Sequence, residues 1–160
     1  MEIRTATPAD LAAVTALEAA CFPPAEAAGE ASFQARLAAF PDSFWLLVEG
    51  GRVLAMVNGM VTQQPDLTDA MYDDASLHDP AGPWQMIFGV ATHPDCRGRG
   101  YAGTLLRHAI QETRARGKAG LVLTCKEKLV PYYARFGFVS EGPSASQHGG
   151  AAWYQMRLRV

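Results

Sequence analysis

The sequence predicts an α/β fold in which helices flank a mixed, mostly antiparallel sheet. Short apolar runs bounded by turn residues alternate with stretches whose apolar residues recur every three or four positions, the pattern of amphipathic helices. The chain has 160 residues, of which 49% are hydrophobic and 19% charged, which is enough for one domain with its own core. We therefore predict a single domain over residues 1–160. It should contain about seven strands and about four helices.

Helix and turn signals divide the first half of the chain. Thr7 followed by Pro8 predicts a helix start, because threonine caps unpaired N–H groups and proline fits the first helical position. Gly50 and Gly51 predict a tight hairpin turn between two strands. The predicted elements of this half are a strand over 2–5, helices over 7–21 and 25–40, and strands over 44–48 and 53–61.

The second half begins with an irregular segment and then alternates strands with helices. Residues 63–83 show no periodicity and hold five aspartates together with His78, so we expect a long irregular loop that is either functional or disordered. Gly117 predicts the end of a helix, since glycine readily adopts the left-handed conformation found there. The predicted elements are a strand over 84–90, a helix ending at 116, a strand over 121–124, a helix over 127–136, and strands over 138–141 and 152–158.

A glycine-rich, basic turn between the strand over 84–90 and the next helix carries the main functional signal. Its glycines let backbone N–H groups approach a ligand without interference from Cβ atoms; they are Gly98, Gly100 and Gly103. A helix that begins there directs unpaired donors and a partial positive charge at an anion. Arg97 and Arg99 add two forked cationic donors suited to phosphate. Together these features predict a pyrophosphate-binding loop.

Two classes of cofactor fit such a loop. Residues 98–103 match the G-x-G-x-x-G pattern of dinucleotide-binding turns. Glu127 follows ~20 residues later, where such a fold has an acid that binds the ribose. Too little chain remains after Gly103, however, for the further βα repeats of that fold. The second class is coenzyme A. The pattern Arg97-x-x-Gly100-x-Ala102 resembles the acyl-CoA signature Q/R-x-x-G-x-G/A of the GNAT superfamily of N-acetyltransferases.

The resemblance to the GNAT superfamily extends on both sides of this signature. The segment over 90–94 resembles the family's V-x-P strand end, and Tyr-Tyr-Ala-Arg-Phe-Gly-Phe over 132–138 resembles its Y-x-x-x-G-F segment. Residues 123–136 are similar to the C-E-x-x-L-V-P-F-Y-x-R-F stretch of the arylalkylamine (serotonin-type) N-acetyltransferase branch. The similarity runs from Ile3 to about Gly142. It implies a sheet with a splayed central strand pair, and acetyl transfer from acetyl-CoA to an amine.

The resemblance also implies roles for residues of the loop and of the helix over 127–136. Acetyl-CoA is the expected co-substrate, and no metal is expected. A backbone N–H near Val90 or Ala91 is the expected donor to the thioester carbonyl, with Val90 placed first. Tyr133 is the expected general acid that protonates the leaving thiolate. The predicted cofactor-binding residues are Val90, Ala91, Thr92, Arg97, Gly98, Arg99, Gly100, Tyr101, Ala102, Gly103 and Tyr133.

The general base does not carry over from the serotonin-type enzymes, which have two histidines on the strand before the loop. Met86 and Phe88 stand at those positions, and neither accepts a proton. The other candidates are Glu26, His78, His148 and a chain of water molecules, whereas His93 is expected to be a turn residue. We rank Glu26 first, because it follows the Phe-Pro-Pro segment at the position of the family's substrate loop.

The expected acceptor is a primary amine, with a small or aryl-alkyl amine favoured. Phe22, Pro23 and His78 are the predicted substrate contacts. Two alternatives remain open: a catalytically silent acyl-CoA-binding sensor and a nucleotide-binding domain.

Composition sets broader expectations. The net charge of −2 argues against a nucleic-acid partner, and no apolar run approaches the ~20 residues that span a membrane. Three cysteines without metal-ligand spacing indicate a reducing compartment, so we expect a cytoplasmic protein. The N-terminal residues are expected to enter the fold directly rather than form a signal peptide. We expect a monomer or a homodimer.

Overall fold

Nine strands form two sheets in the computed structural model, which describes residues 1–160. The strands are β1 (Glu2–Thr5), β2 (Phe44–Glu49), β3 (Arg52–Asn58), β4 (Val61–Thr62), β5 (Trp84–Ile87), β6 (Gly89–Thr92), β7 (Gly120–Cys125), β8 (Val139–Pro143) and β9 (Tyr154–Arg159). The helices are α1 (Leu11–Cys21), α2 (Glu30–Ala39), α3 (Asp69–Asp73), α4 (Tyr101–Ala115) and α5 (Val130–Ala134). None of these helices has the length and apolar character needed to cross a membrane.

The pairing of the strands confirms the predicted fold class. The first sheet has the order β1-β2-β3-β6 and is antiparallel throughout. The second has the order β4-β5-β7-β9-β8, and only its β5–β7 pair is parallel. The architecture is therefore a mixed, mostly antiparallel sheet system, unlike the parallel, doubly wound sheet that binds dinucleotides.

The strand predicted over 84–90 is split at Phe88. Its first half, β5, pairs with β7, and its second half, β6, pairs with β3. The Phe88 N–H donates to the Asn58 carbonyl (2.7 Å) and the His93 N–H to the Leu54 carbonyl (2.8 Å), both on β3. Peptide groups alternate in direction along a strand, so two N–H groups five residues apart face the same neighbour only if the alternation slips once, as at a β-bulge.

The slip produces the splayed strand pair that the sequence resemblance implied. No ladder pairing joins β6 to β7, although β5 and β7 are paired as far as Ile87 and Leu123. The two strands therefore diverge after Phe88 and leave a fork between them, called the β6–β7 fork below.

Two hydrophobic clusters hold the elements around this fork. One packs α4 against the sheets; it includes Trp45, Leu47, Leu105, Leu106, Ala109, Leu121 and Met156. The other packs α1 and α2 on the opposite face of β2 and β3; it includes Val14, Leu17, Phe33, Leu37, Phe44, Leu46 and Met56. Burying a leucine or phenylalanine side chain contributes about 1.5–3 kcal/mol. The ends of α1 and α4 are therefore fixed relative to the fork.

The structure contains more elements than the sequence predicted. The predicted helix over 25–40 begins only at Glu30, because the N–H groups of Glu26 and Ala27 both donate to the Pro23 carbonyl (2.9 Å) in a local turn. Residues 63–83, predicted as irregular, contain the short α3. The split strand and the separate β4 explain why nine strands are found.

Candidate active site

The glycine-rich loop surrounds a concavity of about 270 Å³ at the N-terminus of α4. Seven predicted cofactor-binding residues line it: Thr92, Arg97, Gly98, Gly100, Tyr101, Ala102 and Gly103. Cys96 and Tyr132, which we did not predict as cofactor-binding residues, line it as well. Arg99 is exposed and lies outside the concavity, so of the two arginines only Arg97 contributes to its lining.

The loop conformation depends on glycine at two positions. Gly98 and Gly100 have φ values of 80° and 76°, in the left-handed region that disfavours any residue with a Cβ atom. The first helical bond runs from the Thr104 N–H to the Gly100 carbonyl (3.0 Å). The N–H groups of the preceding first turn of α4 therefore have no partner within the helix. Their direction and the helix dipole make this concavity suited to an anion such as a diphosphate.

The β6–β7 fork presents free backbone groups along β6. Because the His93 N–H points to β3, alternation directs the N–H groups of Val90 and Thr92 away from β3. Ala91 differs, since its side chain is 3% exposed and packs in the cluster beneath α1 and α2. Thr92 lines the loop concavity and Val90 lines a second cavity further along the strand. β6 thus connects the two.

This second cavity, called the inner cavity below, lies where β6 and β7 diverge and holds about 100 Å³. Five predicted residues meet there: Phe22, Glu26, Val90, Tyr133 and His148. The remaining lining residues are Glu18, Tyr72, Phe88, Gly89, Thr124, Cys125, Leu129 and Trp153. Residues far apart in the sequence therefore converge next to the free amides of β6.

Tyr133 projects from α5 into the inner cavity. Its side chain is 8% exposed, and its hydroxyl makes no hydrogen bond with another protein group. Edge-on contacts with Tyr132 and Phe138, at centroid distances of 5.1 and 6.1 Å, hold the ring. Burial raises the pKa of Tyr133 well above its usual value, so the phenol is neutral and able to donate a proton.

Cys125 lines the same cavity but lacks the character of a nucleophile. Burial raises the pKa of its thiol to about 11, so the thiolate is scarce at neutral pH. Its Sγ lies 3.7 Å from the Met156 Sδ in an apolar setting. Direct attack of an acceptor on a thioester therefore suits the cavity better than a covalent cysteine intermediate.

Glu26 and His148 are engaged with neighbouring groups. The Glu26 carboxylate forms an ion pair with Lys126 (Oε1–Nζ 2.7 Å), and its side chain is 8% exposed. The His148 ring stacks on Tyr72 with a centroid distance of 4.6 Å, and its Nε2 lies 2.8 Å from the Glu26 carbonyl oxygen. These contacts close one side of the inner cavity. Glu26, the predicted base, is already paired with the charged Lys126.

Three residues considered from the sequence lie elsewhere. Pro23 forms part of the turn before α2 and does not line the inner cavity. His78 lines a separate groove with Arg116 and Lys118; its Nδ1 accepts a hydrogen bond from the Val61 N–H (3.0 Å), and burial lowers its pKa. His93 contacts Arg52 (3.2 Å) and caps a turn, consistent with its expected role as a turn residue.

Comparison with known protein families identifies the fold. Residues 11–138 match the model of the acetyltransferase (GNAT) family. The chain belongs to this family. Over 115 residues it is 30% identical to serotonin N-acetyltransferase of Mesocricetus auratus, a match that covers 70% of this chain and 53% of the relative. This GNAT chain thus spans about half the length of the curated relatives it matches.

Solved structures share the fold over nearly the whole chain. GphF, a GNAT-like decarboxylase in complex with isobutyryl-CoA, superposes with a TM-score of 0.83 at 20% identity and covers 99% of both chains. A GNAT family acetyltransferase from Brucella melitensis in complex with acetyl-CoA gives a TM-score of 0.64 at 20% identity, covering 99% of this chain and 87% of the other. The dinucleotide-binding alternative finds no support in these comparisons.

Proposed function

We propose that this GNAT protein is an acyl-CoA-dependent N-acetyltransferase that moves an acetyl group from acetyl-CoA to a primary amine by direct attack in a ternary complex. The observation that carries the proposal is the continuity of the β6–β7 fork. Free amides of β6 lead from an anion-binding helix terminus to a cavity that contains an unbonded, neutral phenol. Solved relatives of the same fold that bind isobutyryl-CoA and acetyl-CoA support this choice of cofactor.

Each part of the cofactor has a matching protein surface. The diphosphate is proposed to accept hydrogen bonds from the free N–H groups of residues 98–103, assisted by Arg97. The pantetheine arm is a chain of amides, so it can pair with the outward-facing backbone of Val90 and Thr92 as an added strand would. With the cofactor bound in this way, the thioester is proposed to lie in the inner cavity, which Val90 and Tyr133 line.

The reaction needs a donor for the thioester oxygen and a proton for the leaving group. As the amine attacks, a C–N bond forms and negative charge develops on the carbonyl oxygen, where the Val90 N–H can donate. Removing one donor of this kind typically costs about 3–4 kcal/mol of transition-state stabilisation. When the C–S bond breaks, the Tyr133 hydroxyl is proposed to protonate the thiolate and to be reprotonated from the attacking nitrogen.

The lining of the inner cavity favours a small or aryl-alkyl amine. Its aromatic residues are Phe22, Tyr72, Phe88, Tyr133 and Trp153. Aromatic walls suit an apolar or aromatic substituent, and the nearby carboxylates of Glu18 and Glu26 attract an ammonium group. The similarity to serotonin N-acetyltransferase agrees with this class. Phe22 remains a proposed substrate contact, whereas the positions of Pro23 and His78 give them no place in the proposal.

Ligand-dependent melting tests the cofactor assignment. A ligand at 100 times its Kd that binds only the folded state adds about 2.7 kcal/mol, which raises the Tm of a protein of this size by about 5–10 °C. We expect such a rise with acetyl-CoA and CoA, and none with NAD. A flat response to acetyl-CoA would refute the assignment.

An assay of thiol release from acetyl-CoA with a panel of amines tests the reaction. We expect turnover with small or aryl-alkyl primary amines, measured against matched secondary and tertiary amines as controls. If acetyl-CoA raises the Tm but no amine releases thiol, the protein is an acyl-CoA-binding sensor rather than an enzyme.

A further inference from the structure

Glu18 is a buried carboxylate with one oxygen unused by the protein. It lies on α1 and is 7% exposed, yet it lines both the inner cavity and an adjoining cavity of about 250 Å³. Its Oε2 accepts a hydrogen bond from the Ala28 N–H (2.9 Å). Its Oε1 has no hydrogen-bond partner. A buried carboxylate oxygen without a donor is costly, so its retention calls for a functional explanation.

The free oxygen faces Gly89, at the start of β6. A Cβ atom built on Gly89 would lie 3.7 Å from the Glu18 Oε1 and 3.6 Å from the Asn58 Nδ2, which is also unpartnered. The next residue along the strand is Val90, the proposed donor to the thioester carbonyl. The unused acceptor therefore lies where an amine must approach to attack that carbonyl.

We propose that Glu18 accepts the proton of the acceptor ammonium, and so supplies the general base for the acetyl transfer proposed above. One N–H bond of the ammonium breaks, its proton passes to the Glu18 Oε1, and the nitrogen lone pair becomes free to attack the thioester. After product release, Glu18 returns this proton to solvent. The second proton lost from nitrogen goes to the thiolate by way of Tyr133, so charge and protons balance.

The surroundings of Glu18 equip it for this task better than the other candidates. The Glu26 carboxylate is already paired with Lys126, and Met86 and Phe88 carry no proton acceptor. Burial raises the pKa of Glu18, which makes the carboxylate a stronger base than an exposed one. The Ala28 N–H, Arg36 and His148 oppose this rise and keep the group ionised over a wider pH range.

Arg36 is a buried cation in this cluster. It is 4% exposed, donates to the Asn58 Oδ1 (3.1 Å) and the Tyr72 carbonyl (3.1 Å), and lies 5.0 Å from the Phe88 ring centroid. The other titratable groups that face Glu18 or share its cavities are Cys21, Glu26, Tyr72, Asp73, Cys125, Tyr133 and His148. Of these, Tyr72 is neutral, because burial raises its pKa to about 12.

The decisive variant is Glu18→Gln, assayed with a strongly basic alkylamine. Glutamine keeps an acceptor for the Ala28 N–H but cannot take up a proton. We expect kcat/KM at pH 7 to fall about 10²–10⁴-fold, with the acetyl-CoA-induced rise in Tm retained. In the variant only the amine that is already neutral in solution reacts. Its kcat/KM should therefore rise about tenfold per pH unit up to the amine pKa near 10, while the kcat/KM of the parent protein changes less with pH.

A weakly basic acceptor provides a second readout. A trifluorinated ethylamine is largely neutral at pH 7 and needs no proton acceptor before attack, so its ratio of parent to variant activity should shrink at least tenfold. The matched control is Glu112→Gln, which removes a carboxylate on α4. For this control the ratio of parent to variant activity should stay near one with both amines. If Glu18→Gln fails to fold, Gly89→Ala replaces it, since its methyl group would block the free oxygen at ordinary contact distances.

The outcomes separate this proposal from the proposed function. If the parent protein is active and Glu18→Gln stays within threefold at pH 7, Glu18 is not the base. An equal loss at every pH and with both amines would instead indicate a structural role. If the parent protein releases no thiol with any amine, the proposed function fails and takes this inference with it.

Discussion

Replacing Tyr133 by phenylalanine removes one oxygen atom and leaves the packing of the ring intact. The hydroxyl makes no hydrogen bond with the protein, and the edge contacts of the ring at 5.1 and 6.1 Å involve only its aromatic atoms. A typical hydrogen bond contributes about 0.5–1.5 kcal/mol, and none is lost here. We therefore expect the Tm of Tyr133→Phe to be unchanged or up to about 4 °C higher.

The same substitution should strongly reduce turnover. General acid catalysis contributes about 10²–10⁴-fold, which corresponds to about 2.7–5.4 kcal/mol at 1.36 kcal/mol per tenfold change. We expect kcat to fall by this factor, while the acetyl-CoA-induced rise in Tm persists, because the contacts proposed for the diphosphate and the pantetheine arm do not include the Tyr133 hydroxyl. Since burial raises the pKa of Tyr133, its phenol stays protonated, and the parent protein should show no alkaline loss of activity from this group below about pH 10.

Thiol release measured from pH 6 to 10, together with melting curves, checks both expectations. Tyr154→Phe, on β9 and not among the residues that line the inner cavity, is the matched control and should retain activity. Turnover within threefold of the parent protein would remove Tyr133 from the mechanism. A lower Tm combined with weaker acetyl-CoA binding would indicate that the hydroxyl has a structural role.

Three further predictions concern the glycine-rich loop and the ion pair between Arg4 and Asp10. Gly100→Ala forces a Cβ atom into the left-handed region, so we expect a loss of about 1–2 kcal/mol of stability in denaturant titrations, together with weaker acetyl-CoA binding. Arg97→Ala should raise the Kd of acetyl-CoA at least tenfold by calorimetry, and more than Arg99→Ala does, because Arg99 is exposed outside the concavity. Arg4 holds the pKa of Asp10 below its usual 3.8 through two hydrogen bonds of 2.8 Å. The stabilisation by the ionised Asp10 carboxylate is therefore present above pH 3.8 and is lost as pH falls through the lower folded pKa. Asp10→Asn should lower the Tm at pH 7, and this effect should shrink as the pH is lowered below 3.8.

Elements with strong local signals could be predicted from the sequence, and those that depend on distant partners could not. Caps and periodicity located α1 and α4 because both signals lie within the helices themselves. Apart from Gln85, the run over 84–90 carries no polar side chain, so the sequence predicts one strand there. Its division at Phe88 depends on which neighbour each half pairs with, and short-range pattern carries no information about β3 or β7.

The same distinction applies to the site. The loop over 97–103 was predicted because its glycines, its arginine and its helix are adjacent in the sequence. Glu18 was missed, although it is the only charged residue in α1, since the groups around its carboxylate, the Ala28 N–H and Gly89, come from other parts of the chain. A lone acid on an otherwise uncharged helix was the available signal. Only the burial of the Glu18 side chain in the structure distinguishes it from an ordinary exposed acid.

The slip at Phe88 also affects what ligand binding costs. Because β6 and β7 are already apart, a ligand that carries amides can form hydrogen bonds with β6 without breaking any hydrogen bond within the protein. Its binding therefore avoids that free-energy cost. An unpaired strand edge is normally a site where another polypeptide can pair as a further strand. The free edge of β6 lies inside the β6–β7 fork, where the sheet of another protein cannot reach it. One misaligned residue thus leaves the protein an internal strand edge, to which the proposed pantetheine arm can add its amides.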